Sequence, residues 1–545
     1  MNRFIVLLGS VWLLGLLPSG AATAQDTVAY DTLFAYIVPP VRFGDAAWGD
    51  FDRDGDFDLV VAGRLLFESL VLRTQVYLNE GDSVLIIEGI GLVSATVYVD
   101  ALDPRLPTLE DVWQGAVAWG DYDNDGDLDL AISGVTETGA HTLRIYENTD
   151  DVDRFAPRFV FPGVRWGDLA WGDYDNDGDL DFASCGTSET NQFVSELYEN
   201  QTGSGGGFVR RDAGFIGLAN CALAWGDYDN DGDLDMLMTG VADPQALVTR
   251  LYRNDGAEGF VDAGVGLKGL LYASVAWGDY DADGDLDILL SGARITPFIL
   301  EGQIKLYRND GSRFTDASDH LMGSFENDPT EGRFHGTAAW GDYDRDGYLD
   351  FLVAGLASLT SDETLQIYDN DRHGRFTKSA TERFDGGYVG GAFWGDYDGD
   401  HDLDMLVWGQ TPDRGIMIRP FRNKLDVLGL PPANAPPMAP GRLQATLQDH
   451  AVTLSWEGAS DALTPAPGLT YNLRVGTTPG GSEVVSPMAV PETGHRLLPG
   501  LGNAGHNTWW TLRRLPPGTY YWSVQAIDTS FKGSLFAPEA SFTIR

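Results

Sequence analysis

The stretch Ala118-Trp119-Gly120-Asp121-Tyr122-Asp123-Asn124-Asp125-Gly126-Asp127-Leu128-Asp129-Leu130, AWGDYDNDGDLDL, sets five carboxylates into nine residues. It runs straight on into the apolar segment Leu130 to Ile132, as though a buried strand begins there. Like charges this close repel, so a compact loop at this place calls for a cation. The first aspartate of the motif recurs at Asp50, Asp121, Asp173, Asp227, Asp279, Asp342 and Asp396, at intervals of 71, 52, 54, 52, 63 and 54 residues. A period of this size marks a repeat architecture.

Each copy reads as four short strands. The first ends in Ala-Trp-Gly, such as Ala224-Trp225-Gly226, and feeds the acidic loop. The second is an apolar run closed by Gly, Met236 to Gly240, and the third is Leu251-Tyr252-Arg253. The turn Asn254-Asp255-Gly256 leads to a fourth around Phe260, with residue types that tolerate the left-handed backbone of tight hairpins. One such sheet cannot bury both faces alone, so the repeats predict an all-β fold, a seven-bladed β-propeller over residues 28–426. The last repeat stops after its third strand, at Arg419 to Asn423. An unmatched segment, Thr32 to Ile37, precedes the first loop and is expected to complete the seventh sheet.

The loop pattern is D-x-D-x-D-G-x-x-D. Side chains at positions 1, 3, 5 and 9 and the carbonyl at position 7 offer oxygen ligands, while Gly at position 6 allows the turn that wraps them round one ion. The seven sets are Asp50, Asp52, Asp54, Asp56 and Asp58; Asp121, Asp123, Asp125, Asp127 and Asp129; Asp173, Asp175, Asp177, Asp179 and Asp181; Asp227, Asp229, Asp231, Asp233 and Asp235; Asp279, Asp281, Asp283, Asp285 and Asp287; Asp342, Asp344, Asp346, Tyr348 and Asp350; and Asp396, Asp398, Asp400, Asp402 and Asp404. Hard oxygen donors in this number suit Ca²⁺, up to seven ions, and argue against zinc or copper. An EF-hand would need a bidentate Glu at position 12, where the chain has Val61, Ile132, Ser184, Met238, Leu290, Val353 and Val407.

With these residues the chain resembles FG-GAP (VCBS-type) repeat proteins, whose best-known relatives are the seven-bladed headpieces of integrin α subunits. The resemblance covers roughly residues 30 to 425. It implies that the acidic loop joins the innermost strand to the next, binds calcium, and uses it structurally. Two departures stand out. Tyr348 at position 7 is harmless if that position gives only its carbonyl. His401 replaces the position-6 Gly of the seventh loop, where positive φ is costly for a side chain, so this site is expected to be the weakest.

The bulk composition narrows the partners. Eighty-one acidic against 36 basic residues give a net charge of -45, which excludes nucleic acid and anionic lipid as natural partners. The N-terminus carries Arg3, an apolar run from Phe4 to Leu17, and Ala22-Thr23-Ala24 before Gln25. This reads as a secretory signal peptide over residues 1–24, too short for the roughly 20 apolar residues of a membrane span. Its removal leaves -46, which seven Ca²⁺ would bring to -32. Cys185 and Cys221, the two cysteines, fall at the end of the repeats away from the acidic loops, where a disulfide can form or not.

Residues 91 to 115, Arg294 to Gly302, and Asp316 to Gly336 are insertions expected on the face opposite the acidic loops, with Trp113, Phe298 and Phe325 as exposed aromatics. The Trp before each loop (Trp48, Trp119, Trp171, Trp225, Trp277, Trp340 and Trp394) is expected to pack between blades rather than to stack on sugars. Beyond a Pro-rich linker at 427–439, residues 440–545 alternate as strands and resemble a fibronectin type III or Ig-like β-sandwich, with Trp456 and Tyr521 in its core. The expected function is a secreted, non-catalytic adhesion or recognition scaffold for an extracellular protein or glycan. A calcium-stabilised, polysaccharide lyase-like enzyme is the alternative. The eight His form no motif, and His320 and His335 are the residues such an enzyme would use.

Overall fold

A computed structural model gives the fold. It describes residues 28–30, 41–65, 71–87, 91–100, 109–149, 155–203, 205–243, 246–295, 300–311, 313–322, 336–356, 365–379, 388–411, 415–423, 434–448 and 451–545. Among these the protein is all-β, its helical content confined to three single 3₁₀ turns. No helix among them is long and apolar enough to cross a membrane. The leader (1–24), Phe298, Phe325 and His335 lie outside the described residues.

Residues 28–423 form seven sheets in a propeller-like arrangement, six of them antiparallel with four strands, and one, the sixth in chain order, of five, whose extra strand Leu321–Met322 pairs parallel. The fourth shows the pattern: Ala219–Gly226, Asp235–Asp243, Ala246–Asn254 and Phe260–Asp262, each paired with the one before. Second strands such as Asp129–Val135 are buried at every residue, which is why they read as continuous apolar runs.

The Ala-Trp-Gly ending explains how one sheet meets the next. A Cβ on Gly120 would stand 2.9 Å from the Trp171 ring, one on Gly172 2.8 Å from Trp225, and one on Gly226 2.8 Å from Trp277. The relation continues through Gly278 with Trp340 and Gly341 with Trp394, and Gly395 meets Trp48 of the first sheet. Each glycine is thus the seat of the following tryptophan, and the last sheet seats the first. Six of the tryptophans donate Nε1–H to an alanine carbonyl of the preceding sheet, as Trp225 does to Ala170 at 3.1 Å. The tryptophans are therefore inter-sheet packing residues.

Three expectations are corrected. The strand completing the seventh sheet is Val28–Tyr30, paired with Asn423 to Phe421, whereas Thr32 to Ile37 lies outside the described residues. The insertion from residue 91 begins as the strand Gly91–Asp100, the fourth of the first sheet. Its hairpin with Leu72–Ile87 runs past Asn79, which bonds to the acidic loop, so this part extends on the loop side rather than opposite. In the C-terminal region, Tyr520 and Trp522 are buried and Tyr521 is only half-buried.

That region holds two three-stranded sheets, Gly441–Gln448, Ala451–Glu457, Trp509–Arg513 and Thr470–Gly476, Gly518–Ile527, Ala540–Ile544. They share one core that includes Trp456, Tyr471, Trp510 and Trp522. Cys185 and Cys221 are joined in a disulfide between the third and fourth sheets, inside a buried apolar cluster.

Candidate metal centres

The second loop shows how the motif folds. Asp121 turns the chain on itself: its Oδ1 accepts the Asp125 N–H at 3.1 Å and its Oδ2 the Gly126 N–H at 3.0 Å. Asp125 Oδ1 accepts the Asp127 N–H at 3.0 Å. Asp129 ties the loop to its sheet, with Oδ2 accepting from Tyr122 N at 3.1 Å and Oδ1 from Asn148 N at 2.8 Å. The same bonds recur in the fourth and fifth loops.

These bonds bring the carboxylates of positions 1, 3 and 9 together. In Asp50, Asp52 and Asp58, in Asp121, Asp123 and Asp129, and in the third, fourth and fifth loops alike, one oxygen of each lies within 4.8 Å of the others. Position 5 stands outside these trios, with one oxygen spent on the turn. The ninth-position aspartates are fully buried and five of the first-position ones are so or nearly so, while Asp173 and Asp396 are half-buried. Burial, with neighbouring carboxylates adding, pushes Asp121 and Asp227 to about 7, Asp279 to about 8, and Asp58 and Asp235 to about 9.

Asp123 Oδ1, Asp229 Oδ1 and Asp281 Oδ1 are buried and without a hydrogen-bond partner among the described residues. Three carboxylates converging on one point, two of them buried and one half-buried, with an oxygen left over at position 3, fit a hard cation and nothing softer.

Two further sets of residues join the loops, and neither is apparent from the ligand pattern. An Asn in or just after the third strand of each sheet donates its Nδ2–H to the position-2 carbonyl of the preceding sheet's loop. Asn148 reaches Phe51, Asn200 Tyr122, Asn254 Tyr174, Asn309 Tyr228, Asn370 Tyr280 and Asn423 Tyr343, and Asn79 reaches Tyr397. The distances run from 2.7 to 3.0 Å, and the last bond returns the series to the first sheet.

The second set links position 4 to position 7 of the next loop. Asn124 donates to Asp179 at 3.1 Å, Asn176 to Asp233 at 2.6 Å, and Asn230 to Asp285 at 2.7 Å, while Arg53 pairs with Asp127 at 2.8 Å. The fifth loop has Ala282 at position 4, and the next loop has Tyr348 at position 7. Donor and acceptor are thus lost together at one junction, which accounts for the Tyr348 departure.

The seventh loop differs. His401 holds φ at 74°, and its N–H bonds Asp396 Oδ2 at 3.0 Å as the glycine does elsewhere. Arg422 reaches into the loop, 2.5 Å from Asp398 and 3.0 Å from Asp400. A guanidinium on positions 3 and 5 competes with a metal for the same charge. Arg514, from the C-terminal sheets, takes the same two positions in the third loop, 2.6 Å from Asp175 and 3.6 Å from Asp177.

That contact is one of several by which the C-terminal sheets cover the acidic-loop end. Backbone bonds run from Asp50 N to Leu497 O, Arg513 N to Asn176 O, and Asp342 N to Thr529 O. Ser486 N bonds Asn124 Oδ1 at 2.8 Å. At the far end, Trp113 is half-buried and meets Phe43 edge-on at 6.3 Å, as does Trp166 at 6.1 Å. His320 bonds the Gly374 carbonyl at 3.0 Å and lies by Tyr280, so it serves packing.

An FG-GAP-like repeat model matches residues 121–184, 227–290 and 354–407, so FG-GAP-like repeats stand at three places in the chain. No curated protein matches it. Among solved structures, a Trypanosoma rangeli sialidase in complex with the inhibitor DANA is 12% identical, covering 92% of this chain and 87% of that one with a TM-score of 0.34. The BP39L lectin from Burkholderia pseudomallei is 10% identical over 71% and 97%, with a TM-score of 0.42. A Penicillium chrysogenum α-L-arabinanase complexed with arabinobiose is 12% identical over 73% and 97%, with a TM-score of 0.35. At such identities no residue role or activity carries over from them to this chain.

Proposed function

We propose that this chain is a secreted, calcium-binding scaffold for recognition of an extracellular protein or glycan. In this reading the seven sheets are the blades of a closed propeller, as in an integrin α headpiece, and residues 440–545 are a fibronectin type III-like sandwich seated on it. The observation that carries the reading is the set of trios: three carboxylates within 4.8 Å of one another, two buried and one half-buried, repeated in loop after loop. Without a cation they would have to take up protons or repel, whereas Ca²⁺ turns each loop into a brace between two strands. The disulfide supports an oxidising compartment, where calcium modules bind at about 10⁻⁴ to 10⁻³ M. Calcium is then folding energy rather than a switch.

Recognition falls to the end away from the acidic loops. There, successive inner strands, or in the second sheet the segment leading into one, hold a positive-φ residue, Phe43 at 51°, Gln114 at 55°, Trp166 at 51°, Asn220 at 46° and Tyr272 at 49°. The bulges are chained, with Gln114 N bonding Phe43 O at 2.6 Å and Trp166 N bonding Gln114 O at 2.7 Å. Bulges re-aim side chains, and backbone strain of this kind gathers where function over-determines it. Phe43, Trp113 and Trp166, with Arg42 and Arg64 over their rings, form the aromatic patch a ligand would meet.

Equilibrium dialysis against calcium held above about 10⁻³ M, counting the calcium bound in excess of the dialysate, tests the metal half. The expected result is five to seven ions per chain, and fewer than two would overturn it. Glycan and extracellular-protein arrays test the recognition half, with Trp166→Ala expected to abolish any hit without shifting the melting curve by more than a few degrees. A hit that survives Trp166→Ala and Trp113→Ala would place recognition elsewhere.

A further inference from the structure

The C-terminal sheets touch the acidic loops in two distinct ways. Backbone groups make general contacts, but side chains converge on a single atom type. In the fourth loop, Asp227 Oδ2 accepts the Gly232 N–H at 2.8 Å and also the Asn507 Nδ2–H at 2.6 Å. In the sixth, Asp342 Oδ2 accepts the Gly347 N–H at 2.9 Å and the Thr529 Oγ1–H at 2.8 Å. In the first, Asp50 Oδ2 accepts the Gly55 N–H at 3.1 Å and stands 3.1 Å from His495 Nε2.

An amide and a hydroxyl, from two separate segments, therefore donate to the same oxygen of the same loop position, while His495 lies close to that oxygen in the first loop without a hydrogen bond. In the fourth and sixth loops Oδ1 holds only the position-5 N–H among the described residues, at 3.0 and 2.9 Å. The partners on Oδ2 fix the plane of the carboxylate, leaving the remaining lone pairs of Oδ1 for the trio. The fifth loop supplies the contrast. The hydrogen bonds to its first aspartate, Asp279, come from its own Asp283 and Gly284, with no C-terminal side chain on it among the described residues.

We propose that Asn507 and Thr529 are outer-shell positioning residues for calcium in the fourth and sixth loops. Metal binding in each of these loops is then linked to the local contact that loop makes with the C-terminal sheets. The inference rests on the calcium reading above. Hydrogen-bonded outer-shell partners hold a ligand in its binding orientation, and their loss costs about 10–100-fold in metal affinity. By linkage, calcium must tighten each such contact by the factor with which the contact tightens calcium.

The test is hydrogen exchange read by mass spectrometry on the full chain across a calcium titration, loop by loop. Asn507→Ala is expected to raise the calcium midpoint for protection of residues 227–235 about tenfold, with residues 279–287 unmoved. Thr529→Val should do the same to residues 342–350 alone, and Thr529→Ser, which keeps the hydroxyl, should restore the wild-type midpoint. A purely structural seating role would shift every loop together or none, and either result overturns the proposal. If Asn507→Ala fails to fold, the Thr529→Val and Thr529→Ser pair decides. Wild-type protein with no calcium-dependent protection in any loop would remove the calcium reading itself. A wild-type response with unshifted variants would remove only this inference.

Discussion

The two ends of the ring are built on opposite principles. At the acidic-loop end, polar bonds are dense: seven Asn side chains stitch sheet to sheet, and the C-terminal sheets lie over the loops. At the far end, aromatic side chains on positive-φ bulges face away from that cover. The first end concentrates buried carboxylates, and the second holds positive-φ backbone in successive sheets. In the proposed reading stability falls to the first end and recognition to the second.

Glycine substitutions probe the two ends separately. A Cβ on Gly167, beside the Trp166 bulge, would overlap the Cys185 carbonyl oxygen, and neither strand can yield. Gly167→Ala should therefore cost about 3 kcal/mol or more, at the upper end of overpacking penalties. Gly226→Ala meets only the edge of the Trp277 ring, at 2.8 Å, and should cost about 1–3 kcal/mol. Urea unfolding of both variants checks the order; equal costs would mean that the tryptophan seats are as rigid as the bulges.

The acidic end should also show an inverted pH response once stripped of metal. Asp227, Asp279 and Asp235 are raised to about 7, 8 and 9, chiefly by burial, so the metal-free fold keeps protons that the unfolded chain loses above pH about 4. A raised folded pKa stabilises fully below the unfolded value and is lost as pH climbs through the folded one. In chelator, melting temperature should fall by several degrees from pH 6 to pH 9. In saturating calcium the slope should vanish or reverse, because ionised carboxylates are then the bound form. Identical slopes in both buffers would separate these aspartates from the metal.

The smallest effect concerns the departure in the seventh loop. His401→Gly relieves a φ of 74° and should stabilise by about 0.5–1 kcal/mol. Arg422 remains on Asp398 and Asp400, so occupancy of that site should rise only with Arg422→Gln as well.

The motif made the loops legible before any coordinates, because its spacing recurs and each aspartate occupies a fixed offset. The position-4 to position-7 belt was also written in the chain, in the matched change of Ala282 and Tyr348, but only the inter-sheet geometry shows that these two positions meet. Val28-Ala29-Tyr30 does not stand out in the sequence beside the longer apolar run Leu33 to Ile37, and the ladder to Asn423 decides. Tyr520-Tyr521-Trp522 offers three aromatics in a row, so strand parity could not be read there. Nothing in the sequence marks Asn507 and Thr529, which lie 280 and 187 residues from the aspartates they bond. Contacts of that range carry no local pattern.

Thermal unfolding with and without chelator bears most directly on the central claim that calcium holds the acidic end of the ring. One site at ten times its Kd contributes about 1.4 kcal/mol, so several sites together should lift the melting temperature by on the order of 10 °C. The account predicts a fall of that size in EDTA, recovered on adding calcium. A transition that is the same in EDTA and in calcium would contradict it.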